Sequence, residues 1–527
     1  MKKNKLKCIG LFVLYLVLAA LIAVSSIAFP LCKWYKKNIK VSIAAALFTL
    51  RSPLKGTNES ITSDVINSAI PGIVRAVVII LILIVIELLI RKKDIRKKIK
   101  LFKKEHSINL KYVYRLALVV ATFTYLGNAY VYADKDIGIT KYAKQRFQST
   151  KIFQEKYIDP NKVKIKPNDK VEVATSEDEV NTTSGQKTKN LIYIYVESYE
   201  TSYGKKSEDG WQKEDIDLIP RTTELAKENV SFSTTNKMRG IRNTEGTDWT
   251  FGSMFASTTG IPFKFPGGVE NSMNDRKKIA SGVTTLGEVL EKKGYYQEFM
   301  CGSDARFAGR GKYFKQHGNY HIFDLFTARK KGLIPQDYME GWGFEDEKLY
   351  QYAKDELGRI SKKDQPFNFT MLTVDTHFPV GHRCRLCGDK YGGAGDIVEC
   401  MDNQLADFIE WCKEQDFYDD TVIVIQGDHP RMDKKLIKGA PAEVRTVYNC
   451  FINSGLEPKL GEKKRVGTIM DMFPSTLAAM GFEVKGDRLG LGTNLFSDKK
   501  TLAEEMGFDN FDDELSKYSQ YYVDKFS

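Results

Sequence analysis

The sequence predicts an α/β domain with a largely parallel central sheet, preceded by an α-helical transmembrane region. Three observations predict it. Long apolar runs crowd into the first 133 residues, the basic residues are concentrated in the same stretch, and from Asn190 onward short β-rich runs alternate with helix-like segments.

At 527 residues the chain is longer than one ordinary domain. It carries 79 Lys and Arg against 67 Asp and Glu, a formal charge of +12. Residues 1–115 hold 22 of the basic residues and only 5 of the acidic ones, more than the whole excess, so the remainder is mildly acidic. That remainder lacks the positive charge needed to neutralise phosphates, which excludes nucleic acid as its partner.

No charged residue interrupts Cys8 to Cys32, enough helix to cross a hydrocarbon core of roughly 30 Å. "MKKNKLK" before it also suits a secretory signal, but the apolar run exceeds the roughly 7–15 residues of such a signal. Further runs span Ile73–Ile90 and Leu116–Tyr132, giving three spans near 8–31, 71–90 and 116–133. The N-terminal tail has four basic residues, the loop after the second span eleven, and the longer loop after the first span six. The first two therefore face the cytoplasm and the chain after span three faces outward. Val41–Leu50 is too short to cross and is expected in the interface or as a re-entrant segment. Arg75 and Glu87, near the ends of the second run, are expected to snorkel.

Residues 134–188 are polar and lack apolar periodicity, as in a linker, although "TKIFQEKYI" within them suits a packed helix. The expected strands are "NLIYIYVES", "YYQEFMCG", "NFTMLTVDTH", "TVIVIQGDH" and "VYNCFIN". Their polar ends carry the functional argument. Glu197 closes the first, His377 the third, and Asp428 with His429 the fourth. In an open α/β sheet, ligands bind outside the carboxyl ends of the strands, so distant parts of the chain deliver carboxylates and imidazoles to one edge.

Glu, Asp and His together suit a divalent cation, Mg²⁺ or Mn²⁺ on the carboxylates and Mn²⁺ or Zn²⁺ on the imidazole. Such a cation activates a nearby hydroxyl as a nucleophile. "TEGTDWTFGSMFAS" supplies one at a helix start, where backbone N–H groups favour an anion. Thr244, Thr247 and Thr250 all compete for the roles of nucleophile and simple N-cap.

The set "YVESYE", "GTDWTFGSMFASTTGIP", "DARFAGRGKYFKQHG", "LTVDTHFP" and "GDHPRM" resembles the membrane-anchored phosphoglycerol transferases of the alkaline phosphatase and sulfatase superfamily. Glucan phosphoglycerol transferases and lipoteichoic acid synthases belong to it. The likeness runs over roughly residues 190–500 and includes "IMDMFPSTLAAMGF" and "DRLGLGTNLFS". It implies that Glu197, Thr247, Asp428 and His429 hold Mn²⁺ or Mg²⁺ and that Thr247 is the nucleophile. It further implies that His377 meets the phosphate or the departing oxygen, and that Arg310 grips the glycerophosphate. A solvated charge is the plainer explanation of Arg310, and His317 in "KQHG" is expected to be structural.

The implied reaction is ping-pong transfer of glycerophosphate from phosphatidylglycerol, through a threonine adduct, to a cell-surface glycan or polymer. The implied setting is a bacterial cell membrane. Three spans and "Thr247-Asp248-Trp249-Thr250" look closer to the glucan-modifying enzymes than to the synthases, favouring single additions. The rival readings are phosphoethanolamine transfer from a lipid donor and a non-catalytic, membrane-tethered binding protein. The expected organisation is a transmembrane region at 1–133, a linker at 134–188, a catalytic domain at 189–500 and a helical tail at 501–527.

Cys384, Cys387 and Cys400 cluster in "HRCRLCGDKYGGAGDIVEC". With His382 beside it, the Cys-x-x-Cys pair suits zinc, whereas an outward-facing domain favours a disulfide. The glucan-type enzymes resemble this segment in carrying paired cysteines, which implies a Cys387–Cys400 disulfide, with Cys384 as the alternative partner. Cys301, Cys412 and Cys450 lie in apolar contexts and are expected to be buried.

Overall fold

The first apolar run is helical because no proline or polar cluster interrupts it before Pro30, and helix α1 extends over Lys2–Asn38. The computed structural model describes residues 2–38, 59–91, 96–101, 104–167, 188–264, 277–378, 381–433 and 436–526. The expectation for Val41–Leu50 lies outside them. Two compact units form, one from the described residues before Lys144 and one from Lys144 onward.

In the smaller unit, α2 (Glu59–Arg91) and α3 (Leu110–Ile137) join α1, with a hairpin of β1 (Arg96–Leu101) and β2 (Lys104–Asn109) between them. Asn109 caps α3 by accepting from the Lys111 amide, and Gly138, at φ 77°, ends it in the left-handed conformation. Ile9–Lys37, Ser63–Ile90 and Leu110–Lys135 are each long and apolar enough to cross a membrane. α1 and α2 approach closely at Gly72, where a Cβ would sit 2.6 Å from the Ile27 backbone. Glu87 is paired: its Oε1 lies 2.6 Å from Arg115 Nη2 on α3. Among apolar helices a carboxylate gains more from a fixed cation than from reaching towards the interface.

The larger unit is built on a six-stranded sheet of order β6-β5-β7-β4-β8-β9. Its strands are β4 (Asn190–Val196), β5 (Tyr296–Cys301), β6 (His321–Phe323), β7 (Phe367–Leu372), β8 (Thr421–Gly427) and β9 (Asn449–Ile452). All pairings are parallel except β8 with β9. The short β6 is absent from the sequence-based strand set, since three residues carry no readable alternation.

Successive side chains on a strand point to opposite faces, and here both faces are covered. On one face Tyr193, Tyr195, Val422 and Val424 pack with Phe251, Phe255 and Phe473. On the other Ile192, Ile194, Ile423 and Ile425 pack with Leu349, Leu357, Leu405 and Phe408. Burying each such aliphatic side chain stabilises the fold by about 1.5–3 kcal/mol, enough to fix the register. In that register Tyr195 sits opposite Leu372 and Gln426, and Val196 opposite Gly427. Glu197 and Asp428 are therefore the next residues on adjacent strands.

Part of the stretch expected as a linker is folded. Ile152 and Phe153 are buried, and β3 (Ile165–Pro167) pairs antiparallel with β10 (Phe482–Val484). Phe153 meets Tyr522 of the C-terminal tail edge to face at 5.0 Å. The tail is helical over Leu502–Met506, Phe508–Ser516 and Gln520–Phe526.

Candidate active site

Three elements deliver the site. Glu197 directly follows β4, and Ser198 after it holds a left-handed φ of 53°, a costly conformation for a residue with a side chain. That bend presents the Ser198 amide to Asp428 Oδ1 at 2.7 Å, while the Ser198 hydroxyl donates to Glu197 Oε1 at 2.7 Å. Asp428 directly follows β8, and its Oδ1 also accepts the His429 amide at 2.7 Å. His429 Nδ1–H donates to the Pro430 carbonyl at 3.0 Å, which turns Nε2 towards the carboxylates, 3.5 Å from both Glu197 Oε1 and Asp428 Oδ2.

The third element is the turn before α4 (Thr250–Thr259). Gly246, at φ 82°, closes it, and the Asn243 side-chain amide donates to the Thr247 carbonyl at 2.5 Å and the Asp428 carbonyl at 2.9 Å. Thr250 opens the helix. Its hydroxyl donates to Glu197 Oε2 at 3.2 Å and lies 3.4 Å from His429 Nε2. The N-cap residue of α4, Trp249, is extended and makes no side-chain cap bond of its own.

Thr247 is placed differently from the expectation. Its hydroxyl accepts the Thr244 amide at 2.8 Å and donates to the Thr244 carbonyl at 3.0 Å, so it closes the turn. The hydroxyl that meets Glu197 and His429 is that of Thr250, whereas the Thr247 hydroxyl bonds within its own turn. The physical reason is helical geometry: Thr250 is the first helical residue and projects from the end of α4, whereas Thr247 precedes it within the turn.

Glu197, Asp428 and His429 are fully buried, with candidate ligand atoms all within 4.8 Å of one another. Burial, reinforced by the neighbouring Glu197 charge, pushes Asp428 up to about 8. Burial also acts to raise Glu197, but the charges of His377 and His429 outweigh it and hold that carboxyl below its ordinary value. His429 is raised: the Asp428 and Glu197 charges overcome the opposing effect of burial. Asp428 Oδ2 is buried without a hydrogen-bond partner. Two buried carboxylates, one orphaned oxygen and an imidazole nitrogen aimed between them fit a divalent cation, which would relieve the repulsion.

His377, five residues beyond the end of β7, lies half-buried at this edge. Its Nδ1–H donates to the Phe378 carbonyl at 2.7 Å, and burial lowers its pKa against the pull of Glu197. The Trp342 ring covers it at 4.3 Å between centroids. The charge of Arg310 is felt at His377. Arg310 begins α5 (Arg310–Gln316) after Ala308 and Gly309, both left-handed at φ 55° and 74°. Its guanidinium is buried and tethered to Ser303 Oγ at 3.0 Å, the Asp304 carbonyl at 3.1 Å and the Phe307 carbonyl at 3.2 Å. It is not the solvated charge of the plainer explanation. His317 is structural in placement, with Nε2 2.7 Å from the Ile279 carbonyl and Nδ1 3.3 Å from Glu288.

Asn243, Ser198 and Trp342 were not singled out from sequence. Asn243 and Trp342 left no signal there, because each acts through contacts across the fold. Thr250 had one: it directly precedes the apolar run that becomes the helix.

The distal cysteines also converge. Cys384 Sγ lies 3.9 Å from Cys387 Sγ and 3.7 Å from Cys400 Sγ, and all three are free thiols. The sulfur beside Cys400 is thus that of Cys384, ahead of the expected Cys387.

Comparison with known proteins agrees with this architecture. A family model described as Sulfatase matches residues 189–482. The phosphoglycerol transferase I of Xanthomonas euvesicatoria pv. vesicatoria is 30% identical over 318 residues, 59% of this chain and 43% of the relative. That of Escherichia coli strain SMS-3-5 / SECEC is 31% identical over 317 residues, 58% of this chain and 39% of the relative. The chain thus spans less than half the length of these curated relatives. A solved protein of the alkaline phosphatase superfamily from Vibrio parahaemolyticus aligns with a TM-score of 0.48 and 21% identity, over 66% of this chain and 74% of that one. With its mostly parallel sheet, its acidic and imidazole strand ends and a family match across more than half its length, the chain belongs to the sulfatase family.

Proposed function

We propose that the protein is a membrane-anchored phosphoglycerol transferase with Thr250 as its nucleophile. On this reading it moves glycerophosphate from phosphatidylglycerol to a hydroxyl of a cell-surface glycan or polymer, with the larger unit facing outward. The observation that carries the reading is the Thr250 hydroxyl, held at the first residue of α4, 3.2 Å from Glu197 and 3.4 Å from His429 Nε2. The names of the curated relatives support phosphoglycerol as the group transferred. Three helices able to cross a membrane suit a lipid donor.

Glu197, Asp428 and His429 would hold Mn²⁺ or Mg²⁺, with Thr250 beside them. When bound, the cation supplies electrostatic stabilisation of the phosphoryl charge and lowers the cost of ionising the threonine hydroxyl. In the first step Thr250 Oγ1 forms a bond to phosphorus as the bond to the diacylglycerol oxygen breaks. Glu197 Oε2 is the nearest acceptor for the threonine proton. Neutral His377, whose Nδ1–H is committed to Phe378, relays that proton through Nε2 to the departing oxygen. Arg310 binds the phosphoryl oxygens. In the second step neutral His377 takes the proton of the acceptor hydroxyl as that oxygen displaces Thr250 from phosphorus, and the same proton returns to Thr250 Oγ1.

The test is incubation of the full-length protein in detergent with Mn²⁺ and head-group-labelled phosphatidylglycerol, followed by peptide mass spectrometry. A glycerophosphoryl adduct on Thr250 with release of diacylglycerol is expected. An adduct on Thr247 would overturn the nucleophile, and label transferred from phosphatidylethanolamine alone would overturn the donor.

A further inference from the structure

Outside this site, the described residues contain one other close group of metal-ligating side chains, Cys384, Cys387 and Cys400. Cys384 and Cys387 sit on the loop that follows the His377 segment. Cys400 sits on α7 (Ala394–Lys413), which packs on the sheet through Val398, Met401, Leu405 and Phe408.

We propose that these three thiols form a structural site for a soft divalent cation of the zinc type, joining the loop after β7 to α7. Geometry supports it. A tetrahedral zinc site with Zn–S near 2.3 Å requires sulfur–sulfur edges of roughly 3.8 Å. The two edges at Cys384 are 3.7 and 3.9 Å, and all three sulfurs lie within 4.8 Å of one another. A disulfide requires about 2.0 Å and would use two sulfurs, stranding the third.

The surroundings suit thiolates. Gln404, one helical turn after Cys400, points its amide nitrogen at Cys400 Sγ at 3.2 Å and Cys384 Sγ at 3.9 Å. Such donors stabilise metal-bound sulfur. Cys384 and Cys400 are buried, while Cys387 is partly exposed and gives an entry side. A fourth position is open to water or a small ligand, and binding displaces the three thiol protons.

The site would act on the catalytic edge through the backbone. The Val374 and Asp375 amides donate to Asp346 at 2.8 and 2.9 Å, and the His382 amide donates to the Asp375 carbonyl at 2.7 Å. The start of the segment bearing His377 is therefore held at Asp346, and the His382 bond ties Asp375 to the chain two residues before Cys384.

The experiment uses full-length protein in detergent, purified without thiols or chelators and equilibrated with Zn²⁺. Glu197→Gln/Asp428→Asn chains serve to empty the other metal site. About one zinc per chain is expected by elemental analysis, falling at least tenfold in Cys384→Ser. Replacement with Co²⁺ should give a thiolate-to-metal charge-transfer band that the chain without Cys384 lacks. Because Cys384→Ser could misfold, alkylation of the parent chain gives an independent reading. Zinc should protect all three thiols, and a chelator should expose them. A chain lacking zinc, with an intact mass two hydrogens short of the fully reduced value, would establish a disulfide and overturn the proposal. Three thiols alkylated equally with and without Zn²⁺ would also overturn it.

Discussion

Thr250 donates its hydroxyl to Glu197 at 3.2 Å, although 53 positions separate them in the chain. The bond places the end of α4 against the end of β4 and decides which of three nearby threonines meets the buried acidic group.

Thr250→Ala should lower transfer about a thousandfold or more with little change in folding, since it removes the attacking oxygen. Thr247→Ala should leave transfer within about tenfold but lower stability by about 1–2 kcal/mol, because the buried Thr244 amide loses its partner. Diacylglycerol release and thermal unfolding measured on both variants separate the roles. The reverse ranking would return the nucleophile to Thr247.

Removing Asp428 should have opposite effects with and without cation. In chelator-treated protein, Asp428→Asn should raise the unfolding midpoint by about 2 °C or more, because a buried carboxyl raised to about 8 beside Glu197 is replaced by a neutral group. The parent chain should gain about 2.7 kcal/mol when Mn²⁺ is present at a hundredfold excess over its dissociation constant, and the variant should gain far less. Scanning calorimetry with and without Mn²⁺ checks both signs.

Gly427→Ala should cost about 3 kcal/mol or more and reduce transfer with it. A Cβ at this last residue of β8 would sit 2.0 Å from the Tyr199 carbonyl oxygen, which backbone atoms cannot accommodate. The strand end would move, and Asp428 with it. Expression level and unfolding midpoint report the first effect, and Mn²⁺ affinity reports the second.

Glu298 on β5 gives a pH dependence separate from the site. Burial, reinforced by the Glu356 charge, pushes its carboxyl from 4.5 up to about 7, despite Arg359 at 2.8 Å. Between those values the folded chain binds more protons than the unfolded one. This group's contribution to stability is therefore full below about pH 4.5 and falls as pH rises towards 7. Glu298→Gln should flatten that slope, with a gain at pH 8 on the order of 2 kcal/mol. Denaturant unfolding across this range would sink the prediction if parent and variant slopes were parallel.

By itself the sequence determined the division into three apolar helices and an α/β domain, five of the six strands of the main sheet, and the carboxylates and imidazoles at their ends. These are local properties: apolar length reports a membrane span, β-rich apolar runs report buried strands, and a polar residue that closes such a run marks the sheet's edge. Asp428 and His429 were legible because "TVIVIQ" leads directly into them. Only the tertiary structure chose Thr250 over Thr247, since which hydroxyl reaches Glu197 depends on where α4 meets β4. It also paired Glu87 with Arg115, turned Trp342 onto His377, and packed Phe153 against Tyr522 from the far end of the chain. Contacts between residues tens to hundreds of positions apart follow from packing and leave no periodicity in the segments that make them.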